Sequence, residues 1–358
     1  MLPAREVLTV GSRWGNEFAC HRHDWSRSLV VIENRHGRTS HEHLGAVFAG
    51  TRDFGEDEGS VWACHVGWSG NYEIACDSTT DARHVIQAGE LLSSGEVILA
   101  PGESYTTPVL YCAYSSCGLN AISRAFHQHL RARPSHPKLP RPVHLNTWEA
   151  VYFDHNFDTL KKLADRAARV GVERFVLDDG WFGSRRNDTA GLGDWSVSKG
   201  VWPLGLTPLV DHVNSLVMEF GLWVEPEMVN PNSACFRANP EWALVDDEYG
   251  DPLLQRNQLV LDVSRQDVSD YLFNALDDLL KSHAITYLKW DHNRDLVAPW
   301  SEGRLSPHRQ TKAVYKLLDR LRTAHPAVEI ETCASGGGRA DYFRDPATHG
   351  SGVDQRLA

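Results

Sequence analysis

Basic residues are in short supply: 36 Lys and Arg stand against 47 Asp and Glu, a formal net charge of −11 over 358 residues. Affinity for a duplex comes mainly from Lys and Arg neutralising phosphates, so this balance argues against nucleic-acid binding and leaves uncharged ligands untouched. Paired cysteines are also lacking. The seven cysteines are scattered, none falls in a Cys-x-x-Cys pair, and an odd, dispersed set reads as reduced thiols of an intracellular protein. No apolar run approaches the roughly eighteen residues of a membrane span. The start, Met1-Leu-Pro-Ala-Arg-Glu6, has no basic stretch leading into an apolar one, so no secretory leader is expected. The expectation is a soluble, cytoplasmic protein with no nucleic-acid or membrane partner.

Several motifs stop short of a function. Gly336-Gly-Gly-Arg339 lacks the Lys-Ser/Thr ending of a P-loop and reads as a tight turn after a strand. The histidine pairs His21/His23, His41/His43 and His127/His129 have no third or fourth ligand at a familiar zinc spacing. They read as surface residues rather than a zinc site.

What is present suits a globular, two-domain chain, with 42% hydrophobic and 23% charged residues. Up to about residue 120, short runs such as Ser28–Ile32, Gly45–Ala49 and Val61–Val66 alternate with turn signals, the rhythm of an antiparallel β-sandwich. Residues 121–142 read as a helix, Ile122–Arg133, followed by a connector carrying Pro134, Pro137, Pro140 and Pro142. From residue 143 to 358 strand-like runs alternate with helices. The runs are Val143–Thr147, Arg174–Asp178, Gly221–Val224, Leu259–Asp262, Tyr287–Asp291 and Val328–Thr332; the helices are 158–170, 208–220, 266–282 and 309–324. Such alternation predicts a parallel sheet, and a (β/α)8 barrel is favoured over a doubly wound sheet because no Gly-rich phosphate turn follows the first strand. The 216 residues of this region fall below the roughly 250 of such barrels. The barrel is therefore expected to be incomplete at its carboxy-terminal end.

Carboxylates and aromatics gather at the carboxyl ends of these runs, where a barrel places its active site. Lys289 and Asp291 alternate on one strand and share a face. A cation there favours an ionised Asp291, as a nucleophile requires, although a structural ion pair would look the same. Asp178 and Asp179 can grip hydroxyls, bind a metal or cap a helix. Glu225 and Glu227 are a further pair, with Glu225 open as an acid or base. Trp148, Trp181 and Trp223 suit a sugar face or the core equally.

Taken together, Leu177–Gly183, Leu192–Trp195, Gly221–Met228, Arg256–Asp262, Leu288–Arg294 and Glu331–Arg339, with Gly11–Trp14, Ser69–Tyr72 and Asn146–Glu149 upstream, resemble glycoside hydrolase family 36, the bacterial α-galactosidases. The resemblance runs from about residue 8 to about residue 341. It implies a partial β-sandwich followed by the barrel, and a retaining, cofactor-free hydrolysis of α-galactosides of the raffinose or melibiose type. A galactosyl transferase, an α-N-acetylgalactosaminidase or a non-catalytic sugar-binding chain on the same scaffold are the alternatives. By the family pattern Asp291 is the nucleophile. Asp178 and Asp179 hold the galactose O4 and O6, while Lys289, Asn293 and Arg256 bind other hydroxyls or orient the nucleophile. Trp148 and Trp223 line the pocket, Cys333 and Gly336 lie at its rim, and Trp14 reaches in from the sandwich. Family members are often oligomeric, which leaves homo-oligomers open here. After Asp341 the chain departs from the pattern, and the Trp-x-Ser-Asp segment bearing the acid/base has no counterpart. Asp345 and Asp354 lie in a different context and are not assigned that role. The expectation is a truncated product with little hydrolase activity.

Overall fold

The computed structural model describes residues 4–25, 29–81, 83–134, 136–137, 140–245, 253–297, 299–301 and 303–342. Its first part holds β1 (Glu6–Val10), β2 (Cys20–Asp24), β3 (Val30–Asn34), β4 (Ala46–Gly50), β5 (Val61–Gly67), β6 (Tyr72–Ser78), β7 (His84–Glu90) and β8 (Val109–Ser115). These form two antiparallel sheets, ordered β2-β1-β4-β5-β8 and β3-β6-β7. The expected sandwich is what forms. Along β6 the buried residues Tyr72, Ile74 and Cys76 alternate with partly exposed ones and meet Val7, Val47, Cys64 and Val66 of the larger sheet.

The outer face of that sheet is covered too. Leu8, Val10, Val61 and Ala63 pack with Ile122 of α1 (Gly118–Ala132), with Leu119 and Phe126 beside them. The helix thus belongs to the sandwich, and only the proline-bearing stretch after it connects the two parts.

The second part runs β9 (His144–Asn146), α2 (Trp148–Val151), α3 (Phe157–Arg169), β10 (Arg174–Leu177), α4 (Thr207–Ser215), β11 (Glu219–Val224), β12 (Met228–Val229), α5 (Ala234–Ala238), β13 (Leu259–Val260), α6 (Gln266–Ser282), β14 (Tyr287–Trp290), β15 (Trp300–Ser301), β16 (Arg304–Leu305), α7 (Pro307–Ala324) and β17 (Glu329–Thr332). Strands β9-β10-β11-β14-β17 pair in parallel and in chain order. A doubly wound sheet would reverse direction, so this succession is the barrel winding, here as five strands among the described residues. The sheet is strongly curved. Arg174 at the foot of β10 reaches Glu329 at the foot of β17, with Nη2 2.7 Å from Oε2. In a flat sheet these strands would stand about 14 Å apart.

Two expectations need correction. The run Leu259–Asp262 is not a barrel strand: β13 pairs antiparallel with β12 outside the parallel sheet. A short buried apolar run looks alike in either setting. The helix expected over 208–220 ends at Ser215, where exposed Val217 adopts φ +62° and turns the chain into β11. Among the described residues no helix is long and apolar enough to cross a membrane. Asp345 and Asp354 lie outside the described residues.

Candidate active site

The strand ends converge on Asp291, the residue after β14, which is buried. Its Oδ2 accepts the Trp223 indole N–H at 3.0 Å and the Asn293 amide at 2.7 Å, and its Oδ1 accepts the His292 backbone N–H at 2.9 Å. Burial alone would raise its pKa. The Lys289 charge and these three donors outweigh burial and hold the carboxyl below its usual range. Asp291 is thus an anion, and its oxygens are fixed in direction.

Lys289 shares the expected side of the strand, but its ammonium pairs with Asp178 at 3.0 Å, across β11. Curvature of the sheet brings those two strand ends together. Asp178 also accepts from the Asn146 amide at 2.6 Å, and its backbone N–H donates to the Thr147 hydroxyl. Desolvation works against the lysine cation, yet the charges of Asp178 and Asp291 raise it above its ordinary value.

Asp179, also buried, is held by Arg185, whose Nε donates to Oδ1 and Oδ2 at 3.0 and 3.1 Å and whose Nη2 donates to Oδ2 at 2.8 Å. Burial still pushes its pKa up to about 6, with Arg185 opposing and the Asp178 and Asp291 charges adding to the rise. Arg185 is itself anchored on Asn230 Oδ1 at 3.0 Å. Nothing in the sequence pointed to Arg185, because it sits on an irregular loop with no periodicity. Glu225 is buried beside Asp291, and burial and the Asp291 charge push it up to about 8.

The rim is built by the turn after β17 and by loops of the sandwich. Ser335 (φ +48°) and Gly336 (φ +87°) bend the chain so that Ala334 N–H meets Gly336 O at 3.0 Å, the tight turn expected of the Gly-rich motif. Asn293 Oδ1 accepts the Ser335 N–H and hydroxyl at 3.1 and 2.8 Å, tying this turn to Asp291. Exposed Arg256 reaches Ser335 Oγ at 3.4 Å. Burial, with the Asp291 charge adding to it, raises the Cys333 thiol, so it stays protonated.

Beneath the turn, Arg339 donates to Glu227 Oε1 and Oε2 at 2.8 and 2.9 Å, and Trp290 Nε1 donates to the same carboxylate at 2.9 Å. From the sandwich, Arg38 donates to Gly338 O at 2.9 Å and Arg294 O at 3.2 Å and pairs with Asp295, while Thr39 donates to Asp341 at 3.1 Å. His41, expected at the surface, instead donates to Ser335 O at 3.1 Å from a partly buried position.

The aromatics divide. Trp223 is buried and stacks flat on Phe182, so it presents its N–H to Asp291. Trp148 is partly exposed after β9, edge-on to Tyr152 and Phe153. Trp181 is fully buried among Phe182 and Trp195 and belongs to the core. Trp14 is 70% exposed, on the same sandwich loop as Phe18, which lies against Gly337.

An antiparallel sandwich braced against the carboxyl ends of a parallel barrel sheet, with a fixed anionic aspartate among other buried carboxyls, defines a two-part barrel protein with a preorganised carboxylate site. The chain belongs to glycosyl hydrolase family 36. Residues 1–100 match the family described as the glycosyl hydrolase family 36 N-terminal domain, and residues 104–343 match Melibiase. An alpha-galactosidase of Escherichia coli is 48% identical over 349 residues, 97% of this chain and 49% of that protein. The crystal structure of the family 36 alpha-galactosidase AgaA from Geobacillus stearothermophilus superposes with a TM-score of 0.90 at 35% identity, covering 97% of this chain and 50% of the other. Variants of AgaA were solved with stachyose and with raffinose, each with a TM-score of 0.90 at 34% identity and the same coverage. The chain spans about half the length of the curated relatives it matches.

Proposed function

We propose that the chain carries the nucleophile and the galactose-recognising half of an α-galactosidase site. An Asp291 oxygen attacks the anomeric carbon of a terminal α-galactose, and the bond to the departing oxygen breaks with its electron pair. Water then cleaves the galactosyl–aspartate ester, so that two inversions give net retention. The observation that carries this reading is Asp291 itself: buried, anionic and aimed by three N–H donors.

Asp178 and Asp179 are matched to hydroxyl recognition, since each is a buried acceptor oriented by one cation. Acceptors placed for an axial O4 reject the equatorial epimer, because the wrong sugar leaves buried polar groups unpaired. Lys289, Asn293 and Arg256 serve the other hydroxyls or orient Asp291, Trp148 and Trp223 line the pocket, Cys333 and Gly336 lie at its rim, and Trp14 reaches toward it from the sandwich. The substrates are galactosides of the raffinose and stachyose type, in keeping with the sugars bound to the AgaA variants.

Incubation with 4-nitrophenyl α-galactoside and α-glucoside tests this. A nitrophenolate departs with little protonation, so the readout depends on Asp291 more than on a general acid. The galactoside should release nitrophenol and the glucoside should react at least about 10⁴-fold more slowly. Equal reactivity of the two epimers would refute the assignment of the two aspartates.

Arg185 gives a second test. Arg185→Met leaves Asp179 buried without its cation, so the carboxyl takes up a proton near neutral pH and becomes a poorer acceptor. Galactose affinity by calorimetry should fall about tenfold or more. An unchanged affinity would place the sugar away from Asp179.

A further inference from the structure

Glu225 is the one buried carboxyl of this cluster among the described residues whose contacts are all to amides. Its Oε1 accepts the Asn293 backbone N–H at 2.5 Å, and its Oε2 lies 3.1 Å from Gln258 Nε2. The charged groups facing it are Asp291 at the end of β14, Asp179 and Arg185 on the loop after β10, and Arg294. The cations are engaged elsewhere. Arg185 bonds Asp179, Asn230 and Ala190 O, and Arg294 bonds the backbone carbonyls of Asp295, Leu253 and Gln258. An anion at Glu225 would thus sit beside two further aspartates with no cation of its own.

We infer that Glu225 works as a neutral carboxylic acid and as a positioning residue, fixing Asn293 and through it both the nucleophile and the rim turn. The inference rests on Asp291 being the nucleophile. The Asn293 backbone is held by Glu225, its side-chain Nδ2 donates to Asp291 Oδ2, and its Oδ1 receives both donors of Ser335. One carboxyl therefore sets the direction of an attacking oxygen and the position of the rim.

A second observation supports the proton. Gln258 Oε1 is buried with no donor among the described residues. Amide oxygen and nitrogen are nearly isosteric, so turning the Gln258 amide about its axis presents that oxygen to Glu225 Oε2. There it accepts the acid's O–H. The desolvated acid holds its proton through the neutral range, up to about 8.

Two readouts test the proposal on the whole chain. In infrared difference spectra between the parent and Glu225→Gln, a protonated-acid carbonyl band should be present at about pH 6. It should disappear as pH rises through about 8. The second readout is the rate at which an activated fluorinated galactosyl fluoride labels the protein. Glu225→Gln presents the same acceptor and an N–H in place of O–H, and should restore labelling to within about threefold of the parent, whereas Glu225→Ala, which strands the Asn293 N–H, should be at least about tenfold slower. Absence of the acid band at pH 6, or a Glu225→Gln rate as low as that of Glu225→Ala, would overturn the inference. The infrared readout requires no reaction with sugar, so failure of the galactosidase reading leaves it decisive. Should Glu225→Ala fail to fold, the band and the Glu225→Gln rate still decide.

Discussion

Replacing Asp291 by Asn should lower the labelling rate with an activated galactosyl fluoride by about 10⁴-fold or more, the scale on which enzymes lose rate when a reacting side chain is removed. The amide has nearly the shape of the carboxylate and no charge to share with an anomeric carbon. Its effect on binding should be small by comparison, since Asp178 and Asp179 keep their cations. Calorimetry with galactose should thus separate the two contributions. A variant that binds galactose normally and barely reacts is the expected pattern. Loss of binding with an unaltered rate constant would reassign Asp291 to recognition.

The largest expected loss of stability lies beneath the site. Arg339→Met leaves Glu227 buried without its cation, and stranding one partner of a buried pair costs about 3–5 kcal/mol. In the parent, burial, with the Arg339 charge adding to it, pushes neighbouring His292 down to about 4 and leaves it neutral at ordinary pH, so Arg339 is the cation that Glu227 loses. Thermal or urea unfolding should show the loss, and adding Glu227→Gln in the double variant should recover much of it. Burial raises Glu227, but Arg339 above all outweighs it and holds the carboxyl well below its usual range. A carboxyl depressed on folding contributes stability that is complete above its unfolded pKa and is lost as pH falls toward the folded value. The difference between parent and Arg339→Met should therefore be full at neutral pH and narrow below about pH 4. A loss under about 1 kcal/mol at neutral pH would show the pair to be incidental.

Local rhythm made the placing of Lys289 and Asp291 legible, whereas Trp14, Arg256, Asn293, Cys333 and Gly336 entered only through the family resemblance. The two-residue alternation of Lys289 and Asp291 put both on one side of β14, and α6 forms over 266–282 as its pattern required. What escaped depended on curvature and on loops. Lys289 meets Asp178 because the sheet bends, and one strand's periodicity carries no information about that bend. The Arg185 clasp joins positions six apart on an irregular loop, and Glu225 meets Gln258 across 33 residues. Trp181 and Trp223 carry the same side chain at similar strand ends, yet one fills the core and the other orients the Asp291 carboxylate. Leu259–Val260 failed for the opposite reason: its apolar run was real, but burial under a loop and burial in a barrel have one signature. The sandwich strands were legible as elements, whereas the bracing of the rim by Arg38, Thr39 and His41 spans some 300 positions and shows only in three dimensions.

The central claim is that one strand-end carboxylate bonds to the anomeric carbon. Digestion of the chain after reaction with a fluorinated galactosyl fluoride, followed by tandem mass spectrometry, locates that bond. The account predicts the added sugar mass on Asp291, and its absence when free galactose protects the site. The same mass on Asp178, Asp179 or Glu225 would contradict it.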